Sequence, residues 1–590
     1  MRSLVILMLC LFLVSTTASG QVSVGAGTDC DFDTTTDTEA LQTALDAGHD
    51  EIRLTFENEY AGVIVIDEGV VLRGGFANCA DANSDNQNTV HSVISAQGLD
   101  DTVIRIENIQ DASVRLEQLA IINGDGSLFG VPGGVAIREM TGEVHLNRLD
   151  IRGNTGSRGG GLRIESPFGD DQGALDVVIT DTAIRNNTAS RGGGMACSIR
   201  EPDFDLNIFA SGGTTVRGNH ATVRGGGIWM EGCELDFEAG VASAPLGGNA
   251  EFEIFQNTSE ASGAGLSLFH EARVTLRGTF AQAFNLNLNE GNLDPSESGA
   301  GGGAQVAAGA ELEIINGLVD SNSTGRYGGG LFATEGGRIT VNRDPAGCIY
   351  ARYCSHLVGN RVAGQLPGGG GALAVRSGGE IRVSRTLFWL NNADDPGYIA
   401  FVDQSAVDDA ARLILEGNII LENGQSIEDS NDTAFELKNN SQTSMAYNTL
   451  IRNRADRTVF LQLAGSSLEV IGNIIQEFGN IHQSNGTADT AFSCNLMPSL
   501  DTVEAPTVDT VIGQAQFIDV GKRDLQLTTS DQVAMDICSD APYLPGMDLN
   551  GQARGVDQPG VDDLNGPYDL GALEFNPAAI DRIFSDAFQQ

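Results

Sequence analysis

Lysine is nearly absent. Two of the 34 basic residues are lysine (Lys438 and Lys522), against 79 acidic side chains and a formal net charge of −45 over 590 residues. That balance argues against nucleic acid as a partner, because phosphate binding depends on Lys and Arg displacing counterions. Proline (15 residues), tryptophan (2) and aromatics as a whole (6%) are scarce. Glycine is not, at 75 residues, but it lacks the strict third-position period of collagen, and an apolar content of 41% argues against wholesale disorder. Past residue 60 no stretch keeps helical periodicity for three turns, and no later run is long and apolar enough to span a bilayer.

The start of the chain is apolar. Arg2, the run Leu4 to Val14 and the small residues Ala18-Ser19-Gly20 read as a signal peptide cleaved before Gln21. The expectation is a chain exported through the Sec pathway and secreted or held at the cell surface. Beyond that signal lie eight cysteines, an even number in an exported chain, which points to disulfides. They fall in sequential couples, and the expected pairs are Cys30–Cys79, Cys197–Cys233, Cys348–Cys354 and Cys494–Cys538. None has the double CxxC spacing of a zinc site.

Internal repetition decides the architecture. An apolar residue, two others and an asparagine are followed by a glycine cluster and another apolar residue. Ile151 to Asn154 precedes Gly159–Gly161, Ile184 to Asn187 precedes Gly192–Gly194, and Val216 to Asn219 precedes Gly225–Gly227. Further copies run Ile254 to Asn257, Val319 to Asn322 and Leu357 to Asn360, each with its glycines. Gly301 to Gly303 keeps the glycine half alone, and Phe388 to Asn391, Ile420 to Asn423 and Leu450 to Asn453 keep the asparagine half. Between the clusters lie strand-length alternating runs such as Leu175 to Ile179 and Leu312 to Ile315.

Repeats of this length built only of short strands and turns predict an all-β fold, a single-stranded right-handed parallel β-helix with a short N-terminal capping helix. Ankyrin and tetratricopeptide arrays need helices that the glycines would break; a β-propeller, the nearest rival, should show four strands in each longer repeat. Asn and Gly tolerate the left-handed dihedrals of the coil turns, and stacked asparagines form amide ladders. Residues 60–540 at roughly 30 per coil give about 16 coils, on the order of 75–80 Å of rod. Thr38 to Leu45 predicts the capping helix, with Asp37 as N-cap, Gly48 as its stop and Ala40, Leu41, Ala44 and Leu45 on one face. The expected division is signal peptide 1–20, cap 21–60, repeats 61–545, closing segment 546–576 and tail 577–590.

These paired signatures resemble the repeats of chlamydial-type polymorphic outer-membrane proteins and, more broadly, right-handed β-helix proteins of the pectin-lyase-like class. Asp50 to Leu54, Val71 to Phe76 and Val93 to Ala96 look like the opening of secreted choice-of-anchor β-helix proteins. Asp548-Leu-Asn-Gly551 followed by Tyr568 to Glu574 is similar to the closing signature of the choice-of-anchor Q group. The resemblance implies a bacterial envelope or extracellular protein, with outer-membrane association open. About 15 residues follow Glu574, too few for the barrel of an autotransporter; Asp581 to Gln590 are either a sorting tail or a frayed terminus.

Pectin-lyase-like folds include polysaccharide lyases, hydrolases and epimerases. The hydrolase set of Asn-Thr-Asp, Gly-His-Gly and Arg-Ile-Lys is absent, although Asp-Asp pairs occur at Asp170-Asp171, Asp394-Asp395 and Asp408-Asp409. A lyase needs a base beside calcium-binding carboxylates, and no cluster supplies one. The seven histidines are scattered singly, so no catalytic residue is assigned.

Two constellations remain. Arg158, Arg191 and Arg224 each precede a glycine triplet at a 33-residue period and would align down one edge of a β-helix. They are either neutralised by Glu165 and Glu231 or form a ladder for an anionic glycan. Asp81, Asn83 and Asp85 place oxygens at alternate positions, either as an acidic loop or as a calcium site; no other cofactor is expected. The functional expectation is a non-catalytic surface for adhesion or contact with polysaccharide or cell-surface glycan, and the alternative is a polysaccharide-active enzyme of the same fold.

Overall fold

The computed structural model describes residues 20–575 except segments 128–129, 168–172, 200–203, 240–252, 280–282, 294–298, 345–354, 365–367, 395–396, 405–408, 425–432, 454–457, 464, 478, 487–488, 539–545 and 559–565. The signal sequence through residue 19, Cys348, Cys354 and the 577–590 tail therefore lie outside the described residues.

One coil shows the plan. Asp150–Arg152 lies on a first face, Thr155–Arg158 on a second, Leu162–Glu165 on a third and Ala174–Thr180 on a fourth. Each strand pairs in parallel with its counterpart in the next coil. The first face stacks 16 strands from Glu59–Ala61 to Val511–Ile512, and the third and fourth belong to one 30-stranded sheet. The protein is a right-handed parallel β-helix. Fifteen spacings of about 4.8 Å put the first face near 72 Å. In the coils of Ile104–Glu117 and Val135–Asn147 faces three and four are one unbroken strand; in later coils loops divide them.

Alternation within each strand fills the interior. On the fourth face Leu175, Val177 and Ile179 point inward over Leu206, Ile208 and Ala210, while Asp176 and Asn207 point out. Two glycines of each triplet have separate work. Gly159, Gly192 and Gly225 take positive φ (+68°, +62° and +65°), where a side chain is strained. Gly160 needs the absence of a Cβ, because one would sit 2.5 Å from both Gly193 O and Thr188 O.

The asparagine columns form hydrogen-bonded ladders. Asn154, Asn187, Asn219, Asn257, Asn289, Asn322, Asn360, Asn391, Asn423 and Asn453 each pass an Nδ2–H to the next carbonyl oxygen at 2.7–3.1 Å, the last to Glu477. Asn289 corrects the reading of Gly301–Gly303 as an isolated half. Its apolar partner is Leu286, and an insertion separates the two halves of that coil. A second ladder, Asn418, Asn448, Asn473 and Asn495, was not anticipated.

At the N-terminal end α1 (Ala40–Asp46) buries Ala40, Leu41, Ala44 and Leu45 as expected. Asp37 is not its N-cap: Glu39 occupies that position, and Asp37, two residues before it, accepts the Glu39 N–H at 2.8 Å. Gly48 stops the helix at φ +73°, its N–H reaching Leu45 O at 2.9 Å. Parallel pairing begins earlier than expected, because Gln21–Gly25 already pairs with Glu51–Thr55 and buries Val22 and Val24. Among the described residues three disulfides are formed, Cys30–Cys79, Cys197–Cys233 and Cys494–Cys538. Among the described residues no helix is long and apolar enough to cross a membrane.

The chain beyond Ala515 turns back along the outside of the first face. Ala534, Ile537, Leu570 and Phe575 pack on Ala446, Tyr447, Ile474 and Leu496. Leu549, Ala572 and Leu573 pack on Leu387, Ile419, Leu421 and Ile451. Hydrogen bonds fasten this strap, from Gly571 N–H to Gly472 O at 2.8 Å and from Ala572 N–H to the Thr449 side-chain Oγ1 at 3.0 Å. The outward residues of the first face change to match, from Asp150, Arg152 and Arg185 in early coils to Leu387, Ile419 and Leu421 under the strap.

Candidate functional site

Arg158, Arg191 and Arg224 end three successive second-face strands and are in direct register. The glycine turn that follows each one folds the chain sharply onto the third face, so the guanidinium groups lie over that face's outer side. There they meet aromatics: Arg158 and Arg191 each stand 5.5 Å from the Trp229 ring, and Arg224 stands 4.8 Å from that of Phe269. A guanidinium over an aromatic face gains about 0.5–2 kcal/mol, which helps three like charges share a column.

The acids proposed to neutralise them do other work. Glu165 is ion-paired with Arg163, and Glu231 faces His270 at 3.5 Å. Among the described residues no carboxylate forms an ion pair with Arg158, Arg191 or Arg224. Burial, then the neighbouring Arg191 charge, pushes the Arg224 guanidinium below its ordinary value, with Glu335 opposing; an arginine remains cationic regardless. Trp229 is buried, at 3% exposure, so the guanidinium groups are the accessible surface and the indole their support.

The corner continues through bridges from Arg224 to Ser262, Ala300 and Tyr327. A second aromatic group stands there, Tyr327 stacked with Phe332 (5.8 Å) and beside Phe401 (5.6 Å). Arg376 lies 4.5 Å over Tyr327 and Lys438 5.1 Å over Phe401, but these cations are matched by Asp403 and Glu436. Among the described residues the stretch without ion pairs is the N-terminal one.

Hollows on the outer surface, among the described residues, include two of similar size. One of about 560 Å³, near the junction of faces three and four, is lined by Asp205, Glu231, Glu234, His270 and Arg273. The other, about 590 Å³, is a trough on the fourth face where Ser444, Ser467 and Ala491 are too small to fill the space between Arg382, Arg412, Glu469 and Asp489. Arg382 is paired with Glu416 at 2.8 Å.

The proposed calcium ligands are Asp81, Asn83 and Asp85. Asp81 and Asn83 lie on the short helix α2 (Cys79–Asn83), where Asp81 accepts the amides of Asn78 (3.1 Å) and Asn86 (3.0 Å). Asp85 accepts from Arg73 at 2.9 Å. No group of three or more His, Cys, Asp or Glu among the described residues is arranged to hold a metal. Asp394 pairs with Arg361 at 3.1 Å and Asp409 is exposed, while Asp170, Asp171, Asp395 and Asp408 lie outside the described residues.

The carboxylates of the closing signature are structural. Asp548 accepts Gln552 N–H (2.7 Å) and Glu574 N–H (3.0 Å), Asp569 accepts Asp536 N–H (2.9 Å) and Phe575 N–H (2.5 Å), and Glu574 accepts the N–H groups of Gly555 (2.8 Å) and Val556 (3.0 Å). Burial, then mutual repulsion, raises Asp569; burial raises Glu574, with the Arg554 charge opposing.

The arginine column was visible in the sequence, but its aromatic support was not. Trp229 sits two residues past its glycine triplet, the outward third-face position, and that offset was the available signal. Fold and corner together define an all-β solenoid carrying a short row of arginines without an ion pair among the described residues. No protein-family model and no curated protein matches the chain.

Proposed function

We propose that this is an exported, non-catalytic β-helix protein of the cell surface or medium, which binds anionic polysaccharide or cell-surface glycan along its second-to-third-face corner. The observation that carries the reading is the in-register row of Arg158, Arg191 and Arg224, free of ion pairs among the described residues, in a chain with a net charge of −45. At contact distance the local cations outweigh the remote acids, which solvent screens beyond a Debye length of about 8 Å. A linear polymer with regularly spaced carboxylates or sulfates can meet the row, since guanidinium forks bind both groups bidentately. The signal-like start and three disulfides suit an oxidising, extracytoplasmic compartment. The resemblance to polymorphic outer-membrane repeats and choice-of-anchor Q proteins suits an envelope role.

A polysaccharide-active enzyme of the pectin-lyase-like class is the second reading, favoured by the 590 Å³ trough with arginines among acids. One experiment separates them. The purified chain is offered acidic and neutral polysaccharides, with and without calcium, and both retained polymer and new chain ends are measured. Retention of acidic polymers without cleavage, lost in an Arg158→Ala/Arg191→Ala/Arg224→Ala variant, supports the binding reading. New chain ends overturn it, and absence of both removes glycans from consideration.

A further inference from the structure

The inward columns of the third and fourth faces are largely apolar until the last coils. The column through Val402 and Leu437 then reaches Gln462. The column through Phe435 and Phe460 reaches His482, and that through Leu413, Thr443 and Leu468 reaches Thr490. Gln462 is wholly buried and His482 is 1% exposed, where burying polar groups is costly unless they are bonded.

Their arrangement is specific. Gln462 Nε2 donates to Ser466 O at 2.7 Å and Asp489 O at 3.2 Å, which fixes the amide's orientation. Its Oε1 is therefore the acceptor for the Thr490 hydroxyl at 2.6 Å and for His482 Nε2 at 2.9 Å. An amide oxygen only accepts, so the imidazole proton is on Nε2. Burial keeps His482 below its ordinary value, with Glu504 opposing. The half-buried Thr490 hydroxyl thus touches an amide whose carbonyl oxygen accepts from two donors.

We propose that Gln462 and Thr490 become joined by a side-chain ester in the folded protein. Thr490 Oγ1 bonds to Gln462 Cδ, and charge developing on Oε1 is met by the His482 Nε2–H. The hydroxyl proton passes to the amide nitrogen, the Cδ–Nε2 bond breaks and ammonia leaves; no oxidant or other reactant is needed. The link ties the coil of Thr458–Leu463 to the strand Asp489–Ser493 near the end of the stack.

Peptide mapping of the full chain, disulfides reduced, tests this. The expected result is a branched peptide joining residues 462 and 490, lighter by one ammonia than the sum of its two unmodified halves, and cleaved by hydroxylamine. Intact mass alone does not decide, since an N-terminal Gln21 would also lose ammonia on cyclising. Thr490→Val is expected to abolish the branched peptide and Thr490→Ser to retain it. His482→Phe is expected to slow its formation about a hundredfold on refolding. Residues 462 and 490 recovered on separate, unmodified peptides from the wild-type chain overturn the proposal, as does Gln462 merely deamidated to a carboxylate. The wild-type map decides even if a variant fails to fold.

Discussion

Replacing Asn257 by alanine removes one rung from the middle of the longer ladder. The Asn257 amide donates to Val216 O and Asn289 Oδ1 and accepts from Asn219 N–H and Asn219 Nδ2, all at 3.0 Å. After truncation Asn219 Nδ2 keeps Ile184 O, and Asn289 Oδ1 keeps the Asn257 N–H. The Asn219 N–H loses its acceptor in a site with no solvent exposure, and Val216 O loses a donor. Each stranded group costs about 1–3 kcal/mol, so with the small void the loss is about 2–5 kcal/mol. The assay is denaturant unfolding followed by Trp229 fluorescence in a Trp389→Phe background, which confines the signal to the neighbouring coil. Solenoids do not always unfold in one step, so hydrogen exchange of the coils around residues 214–231 and 254–269 accompanies it. Asn83→Ala on the exposed side of α2 is the control, expected within about 0.5 kcal/mol of wild type. A loss below about 1 kcal/mol at Asn257 would refute the account of the ladder as a stabilising element.

Glu477 ends that ladder, accepting from Asn453 N–H and Nδ2 through one oxygen, and burial raises its carboxyl to about 8. A raised folded-state value means the folded chain holds the proton longer, so stability should fall as pH rises from about 4.5 to about 8, by up to about 1.4 kcal/mol per unit. Glu477→Gln should flatten that slope in chemical denaturation at successive pH values. Reducing the disulfides should loosen the strap at Cys494–Cys538 by about 2–4 kcal/mol, so residues 515–575 should gain hydrogen exchange before the coils they cover. Thr449→Ala, which removes the acceptor for Ala572 N–H, should do the same by about 1–3 kcal/mol. Arg191→Lys should weaken polyanion retention nearly as much as Arg191→Ala, because the flat guanidinium stacked on Trp229 is what a lysine cannot reproduce.

The sequence by itself determined the coil. Apolar-x-x-Asn and the glycine triplets are local requirements, since a buried turn amide, a positive φ and a backbone approach that would put an added Cβ 2.5 Å from a carbonyl oxygen each admit few residue types and therefore recur visibly. Three of the sequential cysteine couples were equally legible, and so was the column of Arg158, Arg191 and Arg224, whose repeat period converts directly into register. What only the tertiary structure decided involves residues far apart along the chain. The period places Arg158 and Arg224 in line but does not say that Trp229 and Phe269 lie beneath them, or that Glu165 is taken by Arg163. The run of Leu387, Ile419 and Leu421 becomes intelligible once residues 515–575 are seen folded over it. Gln462, His482 and Thr490 look like ordinary coil residues until three columns bring them to one point. Rules of backbone geometry act within a repeat and leave their mark on it. Contacts between a strap and a face, or between neighbouring columns, depend on how the chain closes on itself, and that is set by packing rather than by any local pattern.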